Sequence, residues 1–172
     1  MAEALAKITE TAGLGMIQIR ADLDGTGAAI AEAVGLALPG PGMTTTQGAR
    51  RLCWMSPDEL LLVLPEGEVA ESMAALTSAL GSEHALVVDV SDMRVAFAIE
   101  GAGAGQVLMK LCPADIAAIP VDGMRRTRAA QVACGIWRES EGFGLIGFRS
   151  VADYLRGILS GAARPGTTLD PR

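Results

Sequence analysis

Histidine occurs once in this chain of 172 residues, at His84, and cysteine three times, at Cys53, Cys112 and Cys134. No Cys-x-x-Cys pair and no His/Cys spacing suited to zinc is present, and an odd number of scattered thiols argues against a disulfide framework. Also missing are a run of about 18 apolar residues, the minimum for a spanning helix, and a basic N-terminal segment leading to an apolar stretch and cleavage site. A reducing cytoplasm is the expected setting. Positive charge is scarce as well. Fourteen Lys and Arg against twenty Asp and Glu give a net charge of −6, which opposes non-specific attraction to nucleic acid or to an anionic membrane. Aromatic residues make up only 3%, whereas 50% of the chain is hydrophobic and 20% charged, a globular balance able to bury a sizeable core in one domain or two small halves.

The segment from Met124 to Arg156 is the most legible. Alternation from Ala130 to Arg138 predicts a strand, Glu139 to Gly142 a polar turn, and Phe143 to Phe148 a returning strand. Ser150, with Asp153 three residues on, predicts a capping box, and Val151, Tyr154, Leu155, Ile158 and Leu159 fall on one face of the helix that follows. Cys53 to Pro65 has the same strand, turn, strand layout, aligning Trp54 with Trp137, Leu60 with Phe143, Leu62 with Leu145 and Val63 with Ile146 at one constant separation without a gap. A helix carrying Val69, Met73, Leu76 and Leu80 follows it. The chain therefore reads as a degenerate tandem duplication.

The remaining elements fit that pattern. Met16, Ile17 and Ile19 predict a strand, Asp22 to Gly25 a turn and N-cap, and an Ala-rich helix from about Thr26 to Leu38 stopped by Pro39 to Gly42. Strand residues resume near Thr44 or Arg51, and Ala85 to Val90 and Arg94 to Ile99 read as strands. Between Gly105 and Pro113 a short helix carries Val107, Leu108, Leu111 and Cys112. The order βαββαβ then βαββα predicts an α+β fold of duplicated ferredoxin-like halves, with antiparallel sheets and helices on one face. The expected boundaries are an N-terminal arm over 1–13, a pseudo-duplicated domain over 14–161 with halves of about 14–90 and 91–161, and a disordered tail over 162–172.

Chemistry-bearing motifs are few. Gly101-Ala-Gly103-Ala-Gly105 links a strand to a helix, but Gln106 stands where the third glycine of a dinucleotide fingerprint belongs, so a tight turn is expected. His84 has no second histidine and no nucleophile to serve, and the cysteines lie in apolar contexts expected to be buried. Arg125, Arg126 and Arg128 form the single basic cluster. On a strand Arg126 and Arg128 share one face, with Arg125 on the other, giving either a solvated lead-in or a docking patch for an acidic surface. Trp54 and Trp137 read as pseudo-symmetric packing residues that, if exposed, would anchor an interface.

Two stretches resemble a known family. One runs from Val88-Asp89-Val90-Ser91-Asp92-Met93-Arg94 through Glu100-Gly101 to Leu108-Met109-Lys110-Leu111-Cys112-Pro113-Ala114-Asp115. The other is Arg126-Thr127-Arg128-Ala129-Ala130-Gln131-Val132 with Ile136-Trp137-Arg138, then Gly142-Phe143 through Phe148-Arg149-Ser150-Val151-Ala152-Asp153-Tyr154-Leu155. They resemble the gamma subunit of heterotetrameric sarcosine oxidase, which is similar in fold to the folate-binding domain of the glycine-cleavage aminomethyltransferase. Asp89 and Asp115 fall in the matching motif. The resemblance implies an accessory chain, without catalytic, cofactor or metal residues of its own, packed against the alpha subunit of a complex that also holds beta and delta subunits. In that family FAD, FMN, NAD and tetrahydrofolate belong to the partner subunits, and the complex oxidatively demethylates sarcosine to glycine, passes the one-carbon unit to tetrahydrofolate and produces hydrogen peroxide. A stand-alone folate or small-molecule binding module and a one-carbon transferase are the competing expectations.

Overall fold

The computed structural model describes residues 3–169. In chain order the elements are β1 (Lys7–Glu10), β2 (Leu14–Arg20), α1 (Leu23–Val34), β3 (Thr44–Gln47), β4 (Arg50–Ser56), β5 (Glu59–Pro65), α2 (Val69–Leu80) and β6 (Leu86–Asp89). There follow β7 (Arg94–Glu100), α3 (Ala104–Met109), β8 (Met124–Ala129), β9 (Val132–Glu139), β10 (Gly142–Phe148) and α4 (Ala152–Ala162). They form two compact units, one of Gly13–Asp92 and one made of Met93 onward together with the segment before Gly13.

The Gly13–Asp92 unit is a five-stranded antiparallel sheet in the order β3-β4-β5-β2-β6. Without β3, its elements run βαββαβ in the ferredoxin-like arrangement. Ile17, Ile19, Leu60, Leu62 and Leu64 project from one sheet face onto Ile30 and Val34 of α1 and Leu76 and Leu80 of α2. On β5 the alternate residues Leu61 and Val63 are buried too, which explains why the strand reads as a continuous apolar run. The Asp22 carboxylate caps α1 by accepting the Asp24 N–H at 3.2 Å. The helix ends at Val34 rather than near Leu38, because Gly35 adopts a left-handed conformation (φ 67°) and its N–H and that of Leu36 turn back to the carbonyls of the last turn.

The other unit repeats the plan with its strands in the order β1-β7-β10-β9-β8. Phe97, Ile99, Ile136 and Leu145 form its core with Val107 and Leu108 of α3 and Leu155 and Leu159 of α4. The strand expected after the last helix is missing from that place in the chain; β1 occupies its position. Lys7 to Glu10 pair antiparallel with Glu100 to Phe97. Leu5 N–H donates to the Ala163 carbonyl and Thr11 N–H to that of Ala96, each at 2.9 Å, while Ala6 is buried and Leu5 and Ile8 pack on the core. Glu10 forms ion pairs with Arg149 and Arg156. Half-exposed pairs of this kind contribute at most about 1 kcal/mol each, so strand pairing and apolar burial are the main restraints. The expected loose arm over 1–13 is therefore corrected to a core-completing strand, and Met1 and Ala2 lie outside the described residues.

Two further expectations change. Ser150 does not cap α4: a 3-10 turn takes up Arg149–Val151, Val151 stands at the cap without a side-chain hydrogen bond, and the Asp153 carboxylate pairs with Arg156 at 2.5 Å. The tail expected to be disordered is tied down as far as Leu169. Lys110 Nζ donates to the Ala162 carbonyl and to Thr167 Oγ1, both at 2.7 Å, and Leu169 N–H donates to Gln106 Oε1 at 3.0 Å. Asp170 to Arg172 lie outside the described residues.

The Gly101–Gly105 string belongs to the same device. Gly103 N–H donates to the Leu5 carbonyl at 3.0 Å, and a methyl group on Gly103 would lie 2.5 Å from that oxygen and 2.8 Å from Leu5 Cβ. Gly103→Ala is expected to push Leu5 off this turn and cost on the order of 1–3 kcal/mol, with faster amide exchange concentrated in Lys7–Glu10 and β7. An unchanged melting temperature and exchange pattern would show that the contact does not hold the strand.

Candidate functional site

Three arginines stand on β8, the edge of their sheet. The expected strand lead-in is a strand in its own right. β8 turns into β9 at Ala130 and Gln131, with Ala130 at a left-handed φ of 49° and its N–H held by the Leu111 carbonyl at 2.8 Å. A left-handed alanine carries no turn signature, so the hairpin is hidden in the sequence. The register sets Arg126 opposite Gly135 and Arg128 opposite Ala133 on one face, and Arg125 opposite Ile136 on the other. All three side chains are exposed, and charge on an edge strand also discourages indiscriminate edge-to-edge pairing.

The tryptophans are not equivalent. A register shift between Trp54 and Ser56 interrupts the pairing of β4 with β5, whereas β9 pairs with β10 without interruption. Before the shift Trp54 pairs with Leu60, yet Trp137 pairs with Gly144 rather than with Phe143, the counterpart of Leu60. One inserted residue turns a side chain to the opposite face. Trp54 accordingly packs, half-buried, on the helix-covered core, while Trp137 lies on the other face of its sheet, 6% exposed. Its Nε1–H donates to Glu139 Oε1 at 2.5 Å. The gapless alignment through Trp54 and Trp137 thus fails at this bulge, and neither ring is exposed as an interface anchor would be.

An open cleft of about 670 Å3 lies beside α3, lined among others by Gly101, Gln106, Met109, Arg138, Glu139 and Phe143. Its guanidinium is engaged: Arg138 donates to the Ile119 carbonyl at 2.7 Å and stands 5.8 Å from the Phe143 ring centre. The six-residue α3 and the occupation of the glycine turn by Leu5 leave no phosphate cradle there.

The other candidates are dispersed. Asp89 accepts the Ser91 N–H at 2.9 Å and its hydroxyl at 2.5 Å, and Ser91 Oγ in turn accepts the Met16 N–H at 2.9 Å. Asp115 accepts the Ala118 N–H at 3.2 Å. Both carboxylates thus serve turns. His84 is exposed between α2 and β6, and all three cysteines are buried. Among the described residues no three His, Cys, Asp or Glu side chains gather as metal ligands would, and no helix is long and apolar enough to cross a membrane. Sequence reasoning missed Glu10, which joins Arg149 and Arg156, and the meeting of Cys112 with Cys134; residues so distant along the chain leave no spacing signal.

Comparison with known proteins places this geometry. A family model described as "Sarcosine oxidase, gamma subunit family" matches residues 20–164. The sarcosine oxidase subunit gamma of Corynebacterium sp. (strain P-1) is 37% identical over 156 residues, covering 82% of this chain and 75% of that one. Among solved structures, a chain of the heterotetrameric sarcosine oxidase from Corynebacterium sp. U-96, in complex with pyrrole 2-carboxylate, superimposes with a TM-score of 0.86 at 28% identity, covering 97% of this chain and 88% of that one. The glycine cleavage system aminomethyltransferase T from Bartonella henselae matches with a TM-score of 0.70 at 18% identity, covering 93% of this chain and 46% of that one, a likeness of fold alone.

The contact that distinguishes Trp137 is open to test. A methyl group on Gly144 would lie 2.0 Å from the indole ring, and a ring packed this way has nowhere to move without disturbing the sheet. Gly144→Ala is expected to lower stability by about 2 kcal/mol or more and to shift the tryptophan emission. Retention of both the emission spectrum and the melting temperature would contradict this placement.

Proposed function

The chain belongs to the sarcosine oxidase gamma subunit family, and on that premise we propose that it is the accessory, non-catalytic gamma subunit of a heterotetrameric sarcosine oxidase. The complex would oxidatively demethylate sarcosine to glycine, pass the one-carbon unit to tetrahydrofolate and release hydrogen peroxide. FAD, FMN, NAD and tetrahydrofolate would be held by the partner alpha, beta and delta subunits, in the cytoplasm. The observation that carries this reading is the close superposition, over nearly the whole chain, on a chain of a solved heterotetrameric sarcosine oxidase. The polar groups support it: the carboxylates of Asp89 and Asp115 are spent on turns, and His84 stands apart from any nucleophile. Fold alone does not carry a folate site into this chain.

The exposed Arg125, Arg126 and Arg128 on β8 are the proposed docking edge for an acidic partner surface, where charge complementarity sets orientation and association rate. In the full complex, Arg126→Glu with Arg128→Glu is expected to reduce recovery of the partner subunits by tenfold or more, with the isolated chain keeping its circular dichroism spectrum. Unchanged recovery would remove the arginines from the interface. Affinity capture of the tagged chain tests the wider reading: a flavin-coloured complex supports it. A colourless homomer that binds tetrahydrofolate saturably favours the stand-alone binding module.

A further inference from the structure

Cys112 and Cys134 are remote in sequence and meet in one core. Cys112 follows α3, Cys134 stands on β9 opposite Thr127, and both belong to the cluster built around Leu108, Ile136 and Leu155. The backbone fixes the meeting from two sides. The Leu111 carbonyl, next to Cys112, accepts the Ala130 N–H at the turn from which β9 departs, and Cys134 is held in the β8 and β9 ladder. Both sulfurs are free. They are also not sealed: Cys112 is 6% and Cys134 7% exposed, against 0% for Cys53 in the other unit.

We propose that Cys112 and Cys134 form a peroxide-oxidisable dithiol that closes to a reversible disulfide between the end of α3 and β9. The two thiols are unequal, as such a reaction requires. The Cys134 S–H donates to the Cys112 sulfur, holding the Cys112 thiol below its usual range, while the same contact and burial push that of Cys134 up. Cys112 is therefore the nucleophile and Cys134 the resolving thiol. The Cys112 thiolate attacks one oxygen of hydrogen peroxide; the O–O bond breaks, and the leaving hydroxide takes up a proton to become water. The Cys134 sulfur, giving up its proton, then attacks the sulfenic sulfur, the S–O bond breaks and a second water leaves. Two thiols and one peroxide become one disulfide and two waters, the sulfurs losing the two electrons that the peroxide oxygens gain. The closed loop contains the whole of β8 with its three arginines, so oxidation would restrain the strand proposed above as a docking edge.

This chemistry does not depend on the subunit reading, because the probe is peroxide added to the full chain. The test is titration of the 172-residue protein with hydrogen peroxide, followed by alkylation, intact mass and peptide mapping without reductant. The expected result is loss of two of the three alkylatable thiols, a mass lower by two hydrogens, a link between the peptides holding Cys112 and Cys134, and recovery with dithiothreitol. Cys134→Ser should leave Cys112 as a sulfenic acid that a dimedone probe captures. Three thiols still alkylatable after peroxide, separate sulfinic acids on the two cysteines, or a link only between chains would each overturn the proposal in the unmutated protein, whether or not the variant folds.

Discussion

The backbone of β7 must be hydrogen-bonded on both sides, and the rest of its unit depends on how that is met. Phe97 and Ile99 of this strand are almost wholly buried, and β10 occupies only one of its edges. A buried strand with a row of unpaired N–H and C=O groups would carry a desolvation cost of about 1–3 kcal/mol for each group. Lys7–Glu10 fill the other edge. Other features follow from that solution: the glycine at 103 that admits Leu5, the burial of Ala6, and the convergence of Arg149 and Arg156 on Glu10.

Much of this architecture is legible in the sequence, for identifiable reasons. The strands β4, β5, β9 and β10 and the helices α2 and α4 bury long side chains at regular intervals, so periodicity exposes them. The swap of β1 was hidden because Lys-Ile-Thr-Glu is four residues long with half its side chains outward, too short for a pattern to stand above background. The bulge beside Trp54 was hidden because a repeat aligned by residue identity has no access to hydrogen-bond register. Trp54 and Trp137 look alike in sequence and lie on opposite faces for that reason. The docking candidates were legible as charge, while their place on an edge strand depended on a turn at Ala130 that residue type does not announce.

The absence of a catalytic constellation among the described residues has a positive side. The chemistry-bearing side chains are engaged in making a surface: Asp89 and Asp115 shape turns, Arg138 bridges a carbonyl and an aromatic ring, and the three thiols are packed inward. A family member whose polar groups are committed in this way supplies shape and charge to its neighbours. The two relationships differ accordingly: likeness to the aminomethyltransferase concerns how strands and helices are arranged, and likeness to the gamma subunits extends to particular side chains.

Placing the completing strand at the start of the chain also sets an order of events during synthesis. Lys7–Glu10 leave the ribosome long before β7 exists, and all of Gly13–Asp92 emerges in between. That intervening unit holds every strand of its own sheet and can collapse as soon as it is made. The strand ahead of it must wait, unpaired, until Arg94–Glu100 has been translated. The second sheet is therefore closed by the oldest segment of the nascent chain, a long-range closure that makes its assembly the slower of the two.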